Sequence, residues 1–358
     1  TTSGWLAAAM LCHYLKRELC DIELIESEEI GTIGVGESTV PPFVGLIHRL
    51  GIDEQEFIRA TDATYKLGIQ FVGWQRRTDT YFHPFGAIGR SIGTHDFYQC
   101  WLKARAQGDS SALQDFSPCN VMAENGRFFP PSRARNTPIG GANYALHVDA
   151  NRVAQYLRRF SEDRGVKRTE GLVTHVGRRD DGFIDHIELA DGTRVHGDFF
   201  IDCSGARALL IGKTLGVESI DWAQYLPCDR AVTVRTENSG PLVPYTRATA
   251  QKSGWMWRIP LQSRVGQGYV YSSRFCTDGE ARSTLLRNVD TACLDEPRII
   301  PFTTGHRREF WKLNCLSIGL AGGFIEPLEA TAIHLMARGI DFFLRYFPNR
   351  ECDAALAR

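Results

Sequence analysis

Two tryptophans stand two positions apart in this chain, in the segment Trp-Met-Trp-Arg-Ile-Pro at residues 255–260. In an extended strand, residues i and i+2 point to the same face, so Trp255 and Trp257 would form one continuous aromatic wall. Such a wall can line a cavity. Aromatic residues on strands more often pack the core of a sheet, and the spacing alone favours the core by about 3:1.

A lysine lies in a second segment with strand periodicity, at residues 65–71. Apolar and aromatic residues alternate there with polar residues and glycine, which predicts a strand with Lys66 on its polar face. Gly68 follows on the same face and would leave open space beside the amine. A lysine on a strand is exposed to solvent in roughly four cases of five, so the periodicity alone favours an exposed Lys66.

The third candidate is the start of a helix predicted at residues 332–346. Thr331 and Ala332 stand at its first turn, where unpaired backbone N–H groups favour an anion. Glu329 precedes this turn. Its spacing alone favours an acid that stabilises the positive end of the helix dipole.

The N-terminal segment contains a small-residue turn with Gly4, a predicted helix and a short strand that ends in Glu26. Such an order, with the acid about 20 residues after the turn, is typical of the second half of a dinucleotide-binding βαβ unit. Glu26 would accept a hydrogen bond from an adenosine ribose. A helix and strand without a ligand explain the pattern equally well. Because the first strand is absent and the chain starts without methionine, we expect it to continue upstream.

Later segments supply further parts of such a fold. Gly34 and Gly36 stand two positions apart, which favours close approach of the backbone to a flat ligand over an ordinary turn. The apolar residues 199–202 predict a buried strand that runs into Cys-Ser-Gly-Ala, where flavoproteins with two dinucleotide folds return to their cofactor. Periodicity also predicts an amphipathic helix at 150–163 and strands at 171–177 and 183–189.

Three motifs occur together in this chain: Tyr-Lys-Leu-Gly-Ile-x-Phe at 65–71, Trp-x-Trp-x-Ile-Pro at 255–260 and Gly-Phe-x-Glu-Pro-Leu-Glu at 323–329. Together they resemble the tryptophan halogenase branch of the flavin-dependent halogenases. Matching stretches extend from Gly4 to about Tyr346. The resemblance implies an enzyme in which reduced flavin, dioxygen and halide yield hypohalous acid, which passes through a tunnel to a lysine.

The resemblance assigns that lysine to Lys66. Its amine would polarise hypohalous acid through a hydrogen bond or form a haloamine, and either species delivers an electrophilic halogen. Glu329 would stabilise the cationic ring and remove its proton. The backbone at Thr331 and Ala332 would bind halide.

The resemblance also implies positions for the substrate and the cofactor. His83 and Phe85 would lie against the substrate ring, although a Pro-Gly turn anchored by Phe85 is an equally good interpretation. Trp255 and Trp257 would keep the substrate away from the flavin. The positions that match cofactor contacts of the family are Gly4, Glu26, Ser38, Val173, Leu320 and Ile333, to which the spacing argument adds Gly34 and Gly36.

The chain departs from the family pattern at two positions near the predicted halide site. Ala330 stands where a serine is expected, so any assistance of Lys66 by a hydroxyl group is lost. Ala332 stands where a glycine is expected, and its methyl group restricts the backbone that would bind halide. Because chloride holds water more tightly than bromide, we expect the site to prefer bromide.

These observations predict an α/β protein, namely an FAD-binding dinucleotide (Rossmann-like) fold with an inserted, strand-rich substrate domain. The three FAD-binding parts are predicted at residues 1–64, 148–221 and 311–358, and the last includes the start of a C-terminal helical region. Substrate-side segments are predicted at 65–147 and 222–310, because both alternate in strand fashion and contain many aromatic residues.

Composition limits the classes of function. The chain has 358 residues, of which 43% are hydrophobic and 23% charged, and its net charge of −1 does not suggest nucleic acid or an anionic membrane as a partner. No apolar run reaches the roughly 18 residues of a membrane span and no signal peptide is apparent, so we expect a soluble, cytoplasmic protein. The cysteines lack CxxC spacing, so neither a metal site nor a disulfide framework is predicted.

We therefore expect an FAD-dependent halogenase that acts on an electron-rich aromatic, with an indole as the favoured substrate. No second phosphate-binding fingerprint is visible, so a separate flavin reductase would supply FADH2. A homodimer is compatible with the sequence. The first alternative is a flavin monooxygenase that hydroxylates its substrate, and the tryptophan pair argues against it. The second is a flavin-binding protein without turnover, and Lys66 argues against that.

Overall fold

The computed structural model describes residues 1–30, 36–134, 136–238, 240–349 and 352. The chain divides into two compact units, each assembled from segments that are separate in the sequence. The first unit comprises the described parts of Thr1–Gly34, Ala150–Asp229 and Pro301–Arg358. The second comprises those of Val35–Asp149 and Arg230–Ile300.

Helices are interspersed with runs of strands along the described residues, in agreement with the predicted α/β class. The α-helices are α1 (Thr2–Tyr14), α2 (Pro42–Arg49), α3 (Glu54–Ala60), α4 (Phe97–Ala106), α5 (Pro118–Glu124), α6 (Ala150–Glu162), α7 (Asp278–Arg287) and α8 (Ala332–Arg345). The described part of the chain has no helix that is both long enough and apolar enough to span a membrane.

Within the described residues, the strands fall into six sheets. The strands are β1 (Glu23–Glu26), β2 (Gly36–Ser38), β3 (Thr64–Lys66), β4 (Gly68–Val72), β5 (Thr80–Pro84), β6 (Ala145–Asp149), β7 (Lys167–Glu170), β8 (Val173–Arg178), β9 (Ile184–Leu189), β10 (Arg194–His196), β11 (Phe200–Asp202), β12 (Ser219–Asp221), β13 (Arg230–Thr236), β14 (Thr246–Gln251), β15 (Gly254–Pro260), β16 (Val265–Tyr271), β17 (Arg298–Pro301), β18 (Gly305–Arg307), β19 (Trp311–Lys312), β20 (Cys315–Ser317) and β21 (Gly323–Phe324).

The first unit contains two pairs of parallel strands, β1 with β7 and β11 with β20. Helix α1 packs against α6 and α8, and its central residues are buried, including Trp5 and Met10. A helix that is apolar on nearly all sides needs such cover. Helix α6 confirms the predicted amphipathic helix, with Val153, Tyr156 and Leu157 buried on one face. Parallel strands covered by helices agree with the predicted α/β class.

The second unit is built on a seven-stranded sheet in the order β17-β13-β16-β15-β14-β4-β5. Strands β13, β16, β15 and β14 are antiparallel neighbours, and β14 pairs with β4 in parallel. A smaller antiparallel sheet has the order β2-β6-β3. Helix α7 packs on β13 and β16, and α5 packs on β4 and β5. This unit carries the lysine and tryptophan motifs.

Two expectations about chain organisation differ from the structure. Residues 65–147 are not strand-like throughout, because α4 and α5 lie within them. Helix α5 begins where the Ser117 side chain accepts the Asn120 N–H and Pro118 occupies the first turn, a strong local start signal. The boundaries of the compact units also differ from those of the predicted domains. The described residues of 35–64, predicted to be FAD-binding, belong to the second unit, since β2 pairs with β6.

Candidate active site

Lys66 is the last residue of β3, and its side chain is completely buried. Its Nζ donates a hydrogen bond to the backbone carbonyl of Thr39 at 3.0 Å. The same atom lies 5.1 Å from the centroid of the Phe85 ring, within the range of a cation–π interaction. The exposed position that strand periodicity alone favours is therefore wrong. Because burial of an ammonium group is costly, a fully buried lysine is a candidate functional residue.

The burial of Lys66 follows from a break in a segment that the sequence predicts to be one strand. Strand β3 ends at Lys66 and β4 begins at Gly68, and the two strands belong to different sheets. Between them, the Leu67 carbonyl accepts a hydrogen bond from the Phe85 N–H at 2.8 Å. A Cβ atom at Gly68 would lie 2.2 Å from the carbonyl oxygen of His83. Gly68 thus allows close approach of β5, which fills the space that the sequence predicts to be open at this glycine.

A chain of buried hydroxyl groups and one imidazole runs through the second unit. The Thr64 hydroxyl donates to the Pro260 carbonyl at 2.7 Å, because a carbonyl oxygen can only accept. His147 Nδ1, 2.9 Å from Thr64 Oγ1, must then carry a proton and donate it. In a neutral imidazole, Nε2 accepts, here from the Thr246 hydroxyl at 2.9 Å. Thr246 in turn accepts from the Ser38 hydroxyl at 3.1 Å. The donor and the acceptor of each hydrogen bond in this series are therefore determined.

This proton arrangement requires a neutral His147. The side chain is completely buried, and burial together with the positive charge of Lys66 holds the pKa of His147 well below its usual value. The series of hydrogen bonds ends at Ser38. Its hydroxyl donates to Thr246, and the lone pairs on its oxygen can still accept a hydrogen bond. Ser38 is a predicted cofactor contact, and its hydroxyl oxygen is available to accept a hydrogen bond from a ligand.

The tryptophan pair lies on β15, which confirms the predicted strand. The ring centroids of Trp255 and Trp257 are 6.2 Å apart, and the two ring planes are inclined by 58°. Both side chains are buried. A Cβ atom at Gly268, which faces Trp257 on β16, would lie 2.1 Å from the Trp257 ring, so the glycine makes room for the indole. The pair forms a continuous aromatic surface, and its role as a barrier stays a prediction.

His83 and Phe85 occupy the end of β5 and the residue just beyond it. The His83 side chain is exposed, whereas Phe85 is half-buried with its ring near the Lys66 amine. Gly86 follows with φ +86°, and a Cβ atom there would lie 2.5 Å from the Gly141 carbonyl oxygen. The backbone thus turns sharply after Phe85, which holds its ring beside the amine. Substrate contact by these two side chains stays a prediction.

The predicted halide site lies where a short 3-10 turn, Pro327–Glu329, meets α8. Ala330 has φ +56° and ψ +38°, a left-handed conformation that costs about 1–2 kcal/mol for a residue with a Cβ atom. Thr331 precedes α8, and its side chain does not cap the helix. The N-terminal N–H groups therefore lack that side-chain acceptor and can favour an anion. Backbone strain at such a position is typical of functional sites.

Glu329 is the last residue of that 3-10 turn, and its side chain is exposed. The next residue is the strained Ala330, so the backbone direction changes immediately after the carboxylate. The exposure leaves Glu329 accessible to a substrate and to water, which a group that exchanges protons requires. Its assignment as a catalytic base stays a prediction.

Glu26 ends β1, where a dinucleotide fold carries its ribose-binding acid. Its Oε1 accepts from Arg168 Nε at 2.9 Å, and its Oε2 accepts from Trp5 Nε1 at 3.1 Å. Burial alone would raise the pKa of Glu26, but the Arg168 hydrogen bond and the other donors lower it, so the carboxylate is ionised. Gly4, in the first turn of α1, faces β1: a Cβ atom there would lie 3.4 Å from Leu24 Cδ1.

The other predicted cofactor contacts lie in several elements. Gly36 is buried on β2, and a Cβ atom there would lie 3.6 Å from Gly266 Cα, an ordinary van der Waals distance. Gly34 lies outside the described residues. Of the remaining three, Ile333 is buried on α8, Leu320 is exposed in a 3-10 turn, and Val173 begins β8. Contact with a cofactor stays a prediction for all of them.

These features fit a flavin nucleotide as cofactor. An ionised acid ends β1, a glycine in the first turn of α1 faces that strand, and the N-terminus of α8 lacks a side-chain cap. Each is a feature by which dinucleotide folds hold a ribose or an electron-rich group. A fold of this kind that also carries a fully buried lysine and a tryptophan pair defines the class of flavin-dependent halogenases.

Comparisons with known proteins agree with this class. The family model described as tryptophan halogenase matches residues 1–358, so the chain belongs to the tryptophan halogenase family and is a flavin-dependent halogenase. The resemblance, the fold class and the enzyme class predicted from the sequence are confirmed.

Individual relatives cover nearly the whole chain. The structure of Xcc4156, a flavin-dependent halogenase from Xanthomonas campestris, is 46% identical with a TM-score of 0.93, over 99% of this chain and 71% of that one. BrvH, a flavin-dependent halogenase from Brevundimonas sp. BAL3, is 39% identical with a TM-score of 0.94, over 99% and 72%. The tryptophan 6-halogenase SttH from Streptomyces toxytricini is 34% identical, over 97% of this chain and 70% of that protein.

Sequence reasoning missed the residues that surround Lys66. Thr39 supplies its carbonyl acceptor, and His147 is electrostatically coupled to it. A signal for His147 was present, since it is a polar residue in the middle of the apolar strand β6. Glu37 was also missed: it is half-buried, and burial raises the pKa of its carboxyl group to about 7.

Proposed function

We propose that this halogenase transfers an electrophilic halogen to an indole or a comparable electron-rich aromatic, and that it uses bromide in preference to chloride. The observation that carries the proposal is the fully buried Lys66 amine beside the Phe85 ring. An amine in this position can meet an oxidant and a flat substrate in a place without bulk water. The relative SttH is named a tryptophan 6-halogenase, and tryptophan contains an indole ring.

When bound, reduced FAD supplies hypohalous acid from dioxygen and halide. The Lys66 ammonium group donates a proton to the hypohalous oxygen, the oxygen–halogen bond breaks, and water leaves as a carbon–halogen bond forms. In the haloamine route, the neutral amine takes the halogen first and water is released at that step. In both routes the ring proton then passes to the Glu329 carboxylate, which restores aromaticity. In the haloamine route the nitrogen–halogen bond breaks as the carbon–halogen bond forms, and the ring proton is passed on through water to the nitrogen, which restores the neutral amine. Either species delivers the same electrophile.

The preference for bromide rests on the backbone at the start of α8. An anion that binds to N–H groups must lose water, and chloride, being smaller, is held by water more tightly than bromide. Ala332 restricts the backbone at the first turn of α8, and Ala330 ahead of it is already strained. A stiff set of donors offsets less of the desolvation cost of chloride. Bromide is also the more easily oxidised halide.

The test is a competition between equal concentrations of chloride and bromide, with FADH2, dioxygen and a panel of indoles. The parent should give a brominated majority by mass spectrometry, and Ala332→Gly should shift the ratio toward chlorine. Ala337→Gly, the same change further along α8, has no predicted effect on the ratio and serves as the matched control. A chlorinated majority from the parent would refute the bromide preference, and a product that gains only oxygen would refute halogenation.

Two partners belong to the same proposal. A separate flavin reductase supplies FADH2, because the chain shows no second phosphate-binding fingerprint. A reaction with NADH and FAD alone should give no product, and addition of a flavin reductase should restore it. A homodimer and a cytoplasmic location stay predictions from the sequence.

A further inference from the structure

Two histidines and an aspartate meet on a three-stranded sheet of the first unit, on residues that no step of the halogenation uses. Each of Asp185, His186 and His196 offers one ligand atom, and these atoms all lie within 4.8 Å of one another. Asp185 Oδ2 is 2.8 Å from His186 Nδ1 and 3.4 Å from His196 Nδ1. The sheet has the order β10-β9-β8, and all three residues come from β9 and β10.

A β-bulge brings neighbouring residues of one strand to the same place. Gly177 on β8 faces His186, and the next residue on β8, Arg178, faces Ile184, so Asp185 is the extra residue of β9. Consecutive side chains of a regular strand point to opposite faces, and a bulge changes the direction of one of them. His196 on β10 is the direct cross-strand neighbour of His186. The bulge therefore assembles the three side chains.

A glycine holds one of the imidazoles in place. A Cβ atom at Gly177 would lie 2.2 Å from the His186 ring, so the ring lies flat on the bare backbone of β8. The side chain of His186 is 13% exposed, whereas those of Asp185 and His196 are 40% and 64% exposed. One ligand is thus held by packing, and two are open to solvent. An ion can reach the cluster without any opening of the fold.

The distances suit a divalent metal. In a tetrahedral zinc site with bonds of about 2.0–2.1 Å, neighbouring ligand atoms are about 3.3 Å apart. The two distances from Asp185 Oδ2 lie within about half an ångström of that value, and the two imidazoles offer ligand atoms within 4.8 Å of each other, so side-chain rotations can complete the site without movement of the strands. Two imidazole nitrogens and one carboxylate are ligands that Zn²⁺ and Ni²⁺ accept, with water at the remaining positions. The nearby Arg179 opposes a cation, but it is paired with Asp181 at 3.7 Å.

We propose that Asp185, His186 and His196 bind one divalent transition-metal ion, with Zn²⁺ as the reference. The sequence analysis predicts no metal site because it considers only the spacing of the cysteines, and this cluster contains none. The ion would link β9 to β10 through His186 and His196. It would stabilise the native state as any ligand of that state does, and it is independent of the halogenation chemistry.

The experiment is a titration of the untagged, metal-free full chain with ZnCl2 by calorimetry, and with CoCl2 by visible absorption. We expect one ion per chain and a melting temperature that rises with the metal concentration. His196→Ala and Asp185→Asn should each weaken binding at least about tenfold, since even loss of an outer partner of a metal ligand weakens sites by 10–100-fold. Both positions are exposed, so the variants should fold.

His175→Ala is the matched control, because His175 is an exposed histidine of the same sheet outside the cluster. It should bind Zn²⁺ like the parent. The proposal is wrong if the parent binds no ion, if His196→Ala binds as tightly as the parent, or if His175→Ala loses as much affinity. Halogenation by metal-free enzyme is measured in parallel and should be unchanged, which keeps this result separate from the proposed function.

Discussion

Replacement of Lys66 by methionine should abolish halogenation without loss of the fold. Methionine has a similar length and is apolar, so it can fill the space of the buried side chain while it removes the amine. FAD affinity and the oxidation of reduced FAD should persist, because the lysine acts after hypohalous acid has formed. Free hypohalous acid should then escape, and a small reactive scavenger in solution should become halogenated in place of the substrate.

The expected change in stability follows from the contacts of Lys66. The variant loses a charged hydrogen bond to the Thr39 carbonyl, about 1.5–3 kcal/mol, and a cation–π contact with Phe85, about 1–2 kcal/mol. It also removes the desolvation cost of a completely buried ammonium group, which is several kcal/mol. We therefore expect the free energy of unfolding to stay the same or to rise by up to about 3 kcal/mol.

Product formation is measured by liquid chromatography with mass spectrometry under single turnover, and stability by urea unfolding. Lys312→Met is the matched control, because Lys312 Nζ also donates to a backbone carbonyl, that of Leu215, at 3.0 Å. This control should halogenate like the parent. Retained halogenation by Lys66→Met would refute the catalytic assignment. A loss of several kcal/mol of stability would show instead that the buried amine has a structural role.

Three further predictions concern acid–base groups. Glu329→Gln should lower ring halogenation by roughly a hundredfold or more, measured as product per bound flavin, with little change in FAD affinity; loss of FAD with unchanged turnover would place this residue at the cofactor. His147→Leu should lower the free energy of unfolding by about 1–3 kcal/mol in urea, because the Thr64 and Thr246 hydroxyls lose a buried partner. In a Thr246→Val background the same change should lower the free energy of unfolding by less, and strictly additive effects would show that His147 and Thr246 do not belong to one hydrogen-bonded network. Glu37→Gln tests a pH dependence. Because the folded pKa of Glu37 is raised from 4.5 to about 7, the parent binds the extra proton in the folded state and loses stability as the pH rises through this window, by up to about 3 kcal/mol. Urea unfolding at pH 5 and pH 8 should show a larger stability gain for Glu37→Gln at pH 8, and an equal gain at both would rule out the linkage.

Local patterns in the sequence were sufficient for the class of the protein and for many of its elements. Helices α1, α6 and α8 and strands β9 and β15 lie where periodicity predicts them, within a few residues. Burial on one face is repeated every turn of a helix, and alternation every second residue of a strand, so these signals need no knowledge of distant residues. The three motifs were sufficient to identify the family because they consist of residue types at fixed spacing, which can be recognised without the positions of the residues in space.

The environment of Lys66 was decided only by the tertiary structure. Periodicity across 65–71 predicts an exposed lysine, but the chain divides after Lys66 between two sheets. The amine donates a hydrogen bond to the Thr39 carbonyl and lies over the Phe85 ring, and these residues are 27 and about 20 positions away in the sequence. The lowered pKa of His147 likewise depends on its burial and on the charge of Lys66, which lies on another strand.

The same contrast holds for the candidate metal cluster on the first unit. The sequence separates His186 from His196 by a turn, and alternation would place Asp185 and His186 on opposite faces of their strand. Cross-strand pairing brings the two histidines together, and one extra residue in β9 brings the aspartate to them. The sequence by itself thus determined which elements form and which chemistry is available. Strand pairing determined which side chains meet and which charges are buried, because those depend on contacts between residues far apart along the chain.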